Sequence, residues 1–189
     1  MKKAGIAAMA VVALGLAASV TTGTASAAPG SDSPSFAAEG RTAGLTPTQI
    51  SELQQEVDGY LATTGGRQVA LNEVALTSGS TLLLAIPGET YARDLNSAAV
   101  SHAGCPYHYF CGWKGTNATG DQWDISVCGV LQEIPNGWDS GGSWENNQTP
   151  GLVASFYNKQ KAWLSDTPPA HYGPVNGNWH PVWYVQACY

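Results

Sequence analysis

Ile50, Leu53, Val57 and Leu61 recur at intervals of three and four residues, while Glu52, Gln55, Glu56 and Asp58 fall between them. That period predicts an amphipathic helix. Thr46 is placed to cap it, Pro47 suits its first turn and Gln49 completes a capping box. Gly65-Gly66 ends it. The pattern then changes to strand-like runs, Gln68 to Leu76 and Thr81 to Ile86. The turn-forming Thr77-Ser78-Gly79-Ser80 between them predicts a hairpin. Residues 28–44 are short of large apolar groups and rich in breakers, which predicts a disordered lead-in. A helix and one hairpin bury too little surface to be robust alone. Residues 45–100 are therefore expected to dock on the domain beyond residue 101 or to lead into it, through a connector at Glu89 to Ser101.

After Cys105 the texture changes. Short aromatic and β-branched runs (Tyr107 to Trp113, Gln122 to Val127, Gly142 to Glu145, Leu152 to Tyr157, Trp179 to Ala187) alternate with glycine, asparagine and proline. No helical period interrupts them. This spacing predicts a mainly β domain over residues 102–189, a sandwich or barrel. All seven tryptophans, four cysteines and four histidines of the chain also lie beyond residue 101. The residues that pack, crosslink and recognise are thus concentrated in this half.

Lys2 and Lys3, the apolar run from Ala4 to Val20 and the small-x-small Ala25-Ser26-Ala27 read as a secretory signal peptide over residues 1–27. The expectation is a secreted, extracellular protein with no membrane span after cleavage. The chain carries 8 basic against 14 acidic residues, and loses two of the basic ones with the leader. Beyond residue 100 the only basic residues are Lys114, Lys159 and Lys161. Neither nucleic acid nor an anionic membrane is an expected partner, because both are bound through Lys and Arg.

Export places the four cysteines in an oxidising compartment, where they should form disulfides. Sequence alone leaves three pairings open. Cys105 and Cys111 are near enough to close a small loop, which leaves Cys128 for Cys188. Zinc is disfavoured, since no Cys-x-x-Cys or His-x-x-x-His pair occurs, and no cofactor is implied.

The stretch from Cys105-Pro-Tyr-His-Tyr-Phe-Cys111-Gly-Trp113 through Gly120-Asp-Gln-Trp123 resembles the opening of a βγ-crystallin Greek key. In that motif an aromatic strand leads into a folded hairpin. Gly120 matches the glycine whose positive φ lets the hairpin fold back, and Trp113 matches the aromatic corner that covers it. Together with Ser143-Trp144-Glu145-Asn146-Asn147-Gln148-Thr149, the match extends over roughly residues 103–158. It is similar to secreted actinobacterial proteins grouped with the Streptomyces-type metalloproteinase inhibitors. The resemblance implies a βγ-crystallin-like Greek-key sandwich and inhibition of an extracellular peptidase. Family inhibitors offer a substrate-like bond in a disulfide-tied loop, whereas Asn158 to Pro169 of this chain contains no cysteine. The contact segment implied here is Lys159 to Pro169, with Ala162, Trp163 and Leu164 at its centre. Thermolysin-like enzymes favour a bulky apolar residue after the scissile bond, so Ala162-Trp163 or Trp163-Leu164 would mimic substrate. Metal-binding crystallins carry a calcium motif that aligns with Trp138 to Ser143; only Asp139 and Ser143 supply ligand oxygens, and a structural turn is expected.

Two other readings compete. Asp121, Asp124, Glu133, Asp139 and Glu145 include carboxylates enough for a glycosidase pair, but they lie near turn signals. His108 alternates with Tyr107 and Tyr109 and reads as a strand residue, His171 and His180 have no evident partner, and no nucleophile elbow or zinc helix occurs. The expectation is a protein that is not an enzyme. Trp163, Tyr172, Trp179, Trp183 and Tyr184 lie outside the resemblance and would suit a sugar- or cell-wall-binding module. Trp113, Trp123 and Trp144 read as core. Asn117 and Asn147 head Asn-x-Thr sequons, and both read as turn formers.

Overall fold

The computed structural model describes residues 33–95 and 104–189; the leader expected over residues 1–27 lies outside them. Helix α2 (Pro47–Thr64) starts as its sequence predicts. Thr46 Oγ1 accepts from Gln49 N, Gln49 Oε1 accepts from Thr46 N, and Gly65 closes the C-terminus in a positive-φ conformation. It buries Leu53, Val57 and Tyr60.

A second helix, α1 (Ser33–Thr42), stands where a disordered lead-in was expected. Its composition conceals it, because its hold is tertiary. Phe36 and Ala43 pack on the core cluster, and Glu39 Oε2 accepts from Leu71 N at 2.9 Å. Gly40 sits where an added Cβ would lie 2.6 Å from Leu71 and 2.7 Å from Ile50.

The expected hairpin is a three-stranded meander. Gln68 to Leu76 is split by a turn into β1 (Arg67–Ala70) and β2 (Glu73–Ala75), followed by β3 (Thr81–Leu83). Asn72 makes the split. It is fully buried, and its Nδ2 donates to Leu84 O and Arg93 O at 2.8 and 2.9 Å.

The later strands are β4 (Tyr109–Trp113), β5 (Gln122–Ile125), β6 (Leu131–Glu133), β7 (Gly141–Asn147), β8 (Ser155–Tyr157), β9 (Trp163–Asp166), β10 (Tyr172–Asn178) and β11 (Tyr184–Gln186). They form two antiparallel sheets. The seven-stranded one runs β1-β2-β3-β5-β4-β7-β10 and the four-stranded one β6-β11-β8-β9. β3 pairs with β5, so the helix-and-hairpin segment shares a sheet with the cysteine-bearing half.

Each of two consecutive strand sets exchanges one member. In β4 to β7, the third strand β6 joins the small sheet; in β8 to β11, the third strand β10 joins the large one. The exchange interlocks the sheets around one core. Phe110, Trp123 and Ile125 from the large sheet meet Phe156 and Val185 from the small one, with Trp138 and Trp179 between. The rings pack edge-on, Phe110–Phe156 at 5.9 Å and Trp123–Trp138 at 6.3 Å between centroids. Edge-on geometry suits their quadrupoles.

Cys105–Cys111 and Cys128–Cys188 are the disulfides. The first holds the approach to β4 against that strand, and the second ties the segment before β6 to the chain end. Gly120 has φ 75° in the β4–β5 connection. Ser143, fully buried at the start of β7, donates to Gly115 O and accepts from Ala118 N at 2.8 and 2.9 Å, stapling that connection down. Trp113 is buried beside it and donates to Gln122 Oε1 at 3.0 Å.

Candidate functional site

The apolar pair that the sequence singles out, Trp163 and Leu164, lies on β9. This is an edge strand of the small sheet, and all four of its residues are exposed. The implied contact segment is therefore a strand edge rather than a free loop. Trp163 is 60 % exposed and Leu164 37 %.

Sequence-local chemistry shapes its entry. Asn158 Oδ1 accepts from both Gln160 N and Ala162 N, at 3.0 and 2.9 Å. Asn158 N donates to Ala162 O, and Lys161 takes a left-handed φ of 60°. This is the turn chemistry that asparagine favours. Both turn lysines also lie over rings, Lys159 Nζ 4.6 Å from the Trp183 centroid and Lys161 Nζ 5.4 Å from that of Tyr184.

The strand is fixed at its exit as well. Asp166 Oδ1 accepts from Ser155 Oγ at 2.6 Å and from Trp163 Nε1 at 2.8 Å. Buried Thr167 accepts through Oγ1 from Ala154 N and from Asn146 Nδ2. Asn146 Oδ1 in turn accepts from Gln148 Nε2, and Gln148 Oε1 accepts from Cys188 N. A buried polar chain thus runs from the end of β9 to the second disulfide. Satisfied networks of this kind rigidify what they hold.

Between those anchors the ladder carries one irregularity. Tyr157 pairs with Trp163 and Phe156 with Ser165, so Leu164 is an extra residue with no partner on β8. Such a bulge bends a strand and re-aims its side chains. It falls at the Trp163–Leu164 bond. Alongside lies a slot of about 300 Å³ between β9 and β10, lined by Trp144, Phe156, Trp179, Leu164 and Asp166 among others. Trp179, which a sugar-binding reading would expose, is buried and donates to Trp113 O at 2.8 Å.

The other sequence-predicted residues are dispersed. Trp123 is buried, and Trp144 packs half-buried on Phe110, Phe156 and Tyr172. Asp139 is exposed in the turn before β7, whereas the Ser143 hydroxyl is engaged with the hairpin. Among the described residues no group of three or more His, Cys, Asp or Glu is arranged to hold a metal ion. His108 lies in the turn before β4 with φ 77° rather than in the strand; its Nδ1 meets Thr149 Oγ1, His171 Nδ1 meets Asn147 Oδ1, and both imidazoles pack on the Tyr107 ring, whereas His180 Nδ1 meets Asp139 O. Asn117 does form a turn with φ 56°, but Asn147 lies within β7 and donates to Cys105 O. Asp121 is the acceptor of an ion pair with Lys114 at 3.2 Å. Burial pushes the Asp124 carboxyl up to about 7, opposed by the hydrogen bond from Gln122 and aided by the nearby Glu73.

Asp166 and Thr167 fall within the expected contact segment, but their anchoring roles, like those of Asn158 and Asn146, were not expected. Only Asn158 had a local signal, an asparagine opening a short polar stretch before an apolar pair. Asn158→Ala is expected to lower stability by about 1 kcal/mol, with two backbone donors losing a shared acceptor. Amide exchange at Gln160 and Ala162 should accelerate while Ser165 keeps its protection.

Among the described residues no helix is long and apolar enough to cross a membrane. No family model, curated protein or solved structure matches the chain.

Proposed function

We propose that this is a secreted, non-catalytic inhibitor of an extracellular peptidase, and that β9 presents the substrate-like bond. The observation that carries the reading is the Trp163–Leu164 bond itself: it joins two exposed large apolar residues on an edge strand, set apart by the bulge at Leu164 and fixed on both sides. Peptidases bind substrates as added strands, through main-chain hydrogen bonds and alternate side-chain pockets. β9 offers a free edge for that pairing.

Rigidity is what separates an inhibitor from a substrate. A segment already held in its bound conformation loses little entropy on binding. In the family that residues 103–158 resemble, the corresponding loop is held by a disulfide. Here the Asn158 turn and the Asp166–Thr167 anchors supply the constraint through hydrogen bonds. Should the peptidase cut Trp163–Leu164, both new ends would remain tethered, one by the turn and Tyr157, the other by Ser155 and Ala154. The bond is then positioned to re-form.

The Greek-key reading gains support from the strand exchange and from the Ser143 staple on a hairpin with a positive-φ glycine. On that reading β8 and β9 are the second-unit counterparts of β4 and β5, which places the contact turn opposite in role to the stapled Gly115–Gly120 turn. The disulfides and the leader-like N-terminus support export.

The test is a steady-state titration of the leaderless protein against one thermolysin-class and one subtilisin-class peptidase. Stoichiometric slowing of the thermolysin-class enzyme, with slow cleavage confined to Trp163–Leu164 or Ala162–Trp163, is the expected result. Free turnover of the chain at scattered sites, with no slowing of either enzyme, would refute it.

A further inference from the structure

A second concavity lies elsewhere. The C-terminus of α2, the β2–β3 turn, β6 and the Trp179–Tyr184 segment enclose a groove of about 780 Å³. It is within the range of small-molecule sites. We infer that this groove binds an uncharged oligosaccharide, independently of the β9 edge.

Three features of the lining select that ligand class. The first is its hydroxyls, from Thr63, Thr64, Thr77 and Ser78. Thr63 Oγ1 donates to Gly59 O and Thr64 Oγ1 to Tyr60 O. Their protons are thus spent on the helix, and their oxygens keep acceptor capacity. Ser78 Oγ lies 3.2 Å from Ser80 Oγ. Such groups match sugar hydroxyls, which both donate and accept.

The second is charge. Glu133 and Asp139 line the groove and no lysine or arginine does; the ammoniums of Lys159 and Lys161 are engaged over the rings of two lining residues, Trp183 and Tyr184. Carboxylates accept from sugar hydroxyls and repel uronates, sulfated sugars and phosphates. His180, the remaining titratable side chain beside them, is held through Nδ1 by Asp139 O at 3.3 Å. The third is a flat apolar face. Trp183 lines the groove and is 37 % exposed. Lys159 covers one side of its ring, which leaves the other for a pyranose to stack on. Apolar body with a polar tip is the property that makes tryptophan a recognition residue. Trp138 and Val182 form the buried floor.

The probes are chitohexaose and cellohexaose, with oligogalacturonate as the anionic comparison, titrated into nitrogen-15-labelled protein. Saturable shifts of the Trp183 indole and of the Thr77 and Ser78 amides with a neutral hexamer are expected, with no response to the uronate. Trp183→Ala should weaken binding by about tenfold or more, and Thr77→Val by about threefold. Tyr172→Ala, an exposed aromatic remote from this lining, should bind as the parent does. Near-UV circular dichroism establishes that each variant is folded. No saturable shift with either neutral hexamer at millimolar concentration would overturn the inference. So would equal binding of the uronate, or undiminished binding by folded Trp183→Ala. The inhibition titration is unaffected by these outcomes, so the two sites stand or fall separately.

Discussion

Asp121→Ala is expected to cost about 2–4 kcal/mol of stability, because two donors shielded from water lose a charged acceptor together. Asp121 is 3 % exposed and joins three parts of the fold. Its Oδ2 accepts from Tyr60 Oη on α2 at 2.9 Å and from Lys114 Nζ at 3.2 Å; its Oδ1 accepts from Ala85 N, just past β3, at 3.0 Å. Tyr60 Oη accepts in turn from Trp138 Nε1 at 3.2 Å. Burial and the Asp121 charge push the Tyr60 hydroxyl far above its ordinary value, so it stays a donor. Truncation leaves the Tyr60 hydroxyl and the Ala85 amide without their acceptor, while Lys114 keeps water and Glu56 at 3.7 Å. Asp121→Asn preserves the shape and loses only the charge, so its loss should be smaller. Urea denaturation of both variants checks the order. A drop below about 1 kcal/mol for the alanine variant, the scale of an ordinary hydrogen bond, would mean that the network does not join α2 to the sheets.

The second large effect concerns pH. The Asp124 carboxyl is pushed up to about 7 by burial, against about 3.9 in an unfolded chain. Between those values the folded state holds a proton that the unfolded state has released. The stability contributed by this group is therefore fully present below about pH 4, is lost as pH rises toward 7 and changes no further beyond it. The full span corresponds to about 4 kcal/mol. Glu73, also pushed up by burial and then by Asp94 and Glu39, titrates in the same direction. Asp124→Asn keeps an oxygen to accept from Gln122 Nε2 and removes the titration. It should exceed the parent in stability at about pH 8 and match it near pH 4. Parallel stability curves for the two proteins across that range would contradict this assignment.

What could be read along the chain depended on how local the cause was. The Thr46 capping box acts within four residues, and α2 begins where it predicts. β4, β5 and β7 carry aromatic or β-branched residues bounded by turn formers, and their positions follow from that pattern. β10 (Tyr-Gly-Pro-Val-Asn-Gly-Asn) reads as a loop, because an edge strand paired only with β7 tolerates glycine, proline and exposure on both faces. β6 is too short to show a period. The split between β1 and β2 rests on buried Asn72 reaching Leu84 and Arg93, partners distant in sequence. The same holds at the candidate site. Trp163 and Leu164 were legible as an apolar pair, but the bulge that sets Leu164 apart arises only from pairing with β8. Asp166 and Thr167 acquire their roles from Ser155, Ala154 and Asn146, which no spacing along the chain brings near.

The most direct test of the inhibitor proposal is amide hydrogen exchange on the leaderless protein with and without a stoichiometric thermolysin-class peptidase. Protection should rise at Trp163 and Leu164, where the free edge of β9 would pair with the enzyme, and remain unchanged at Gly115 to Gly120 and along β6. Protection confined to any other segment, with Trp163 and Leu164 exchanging as in the free chain, would contradict it.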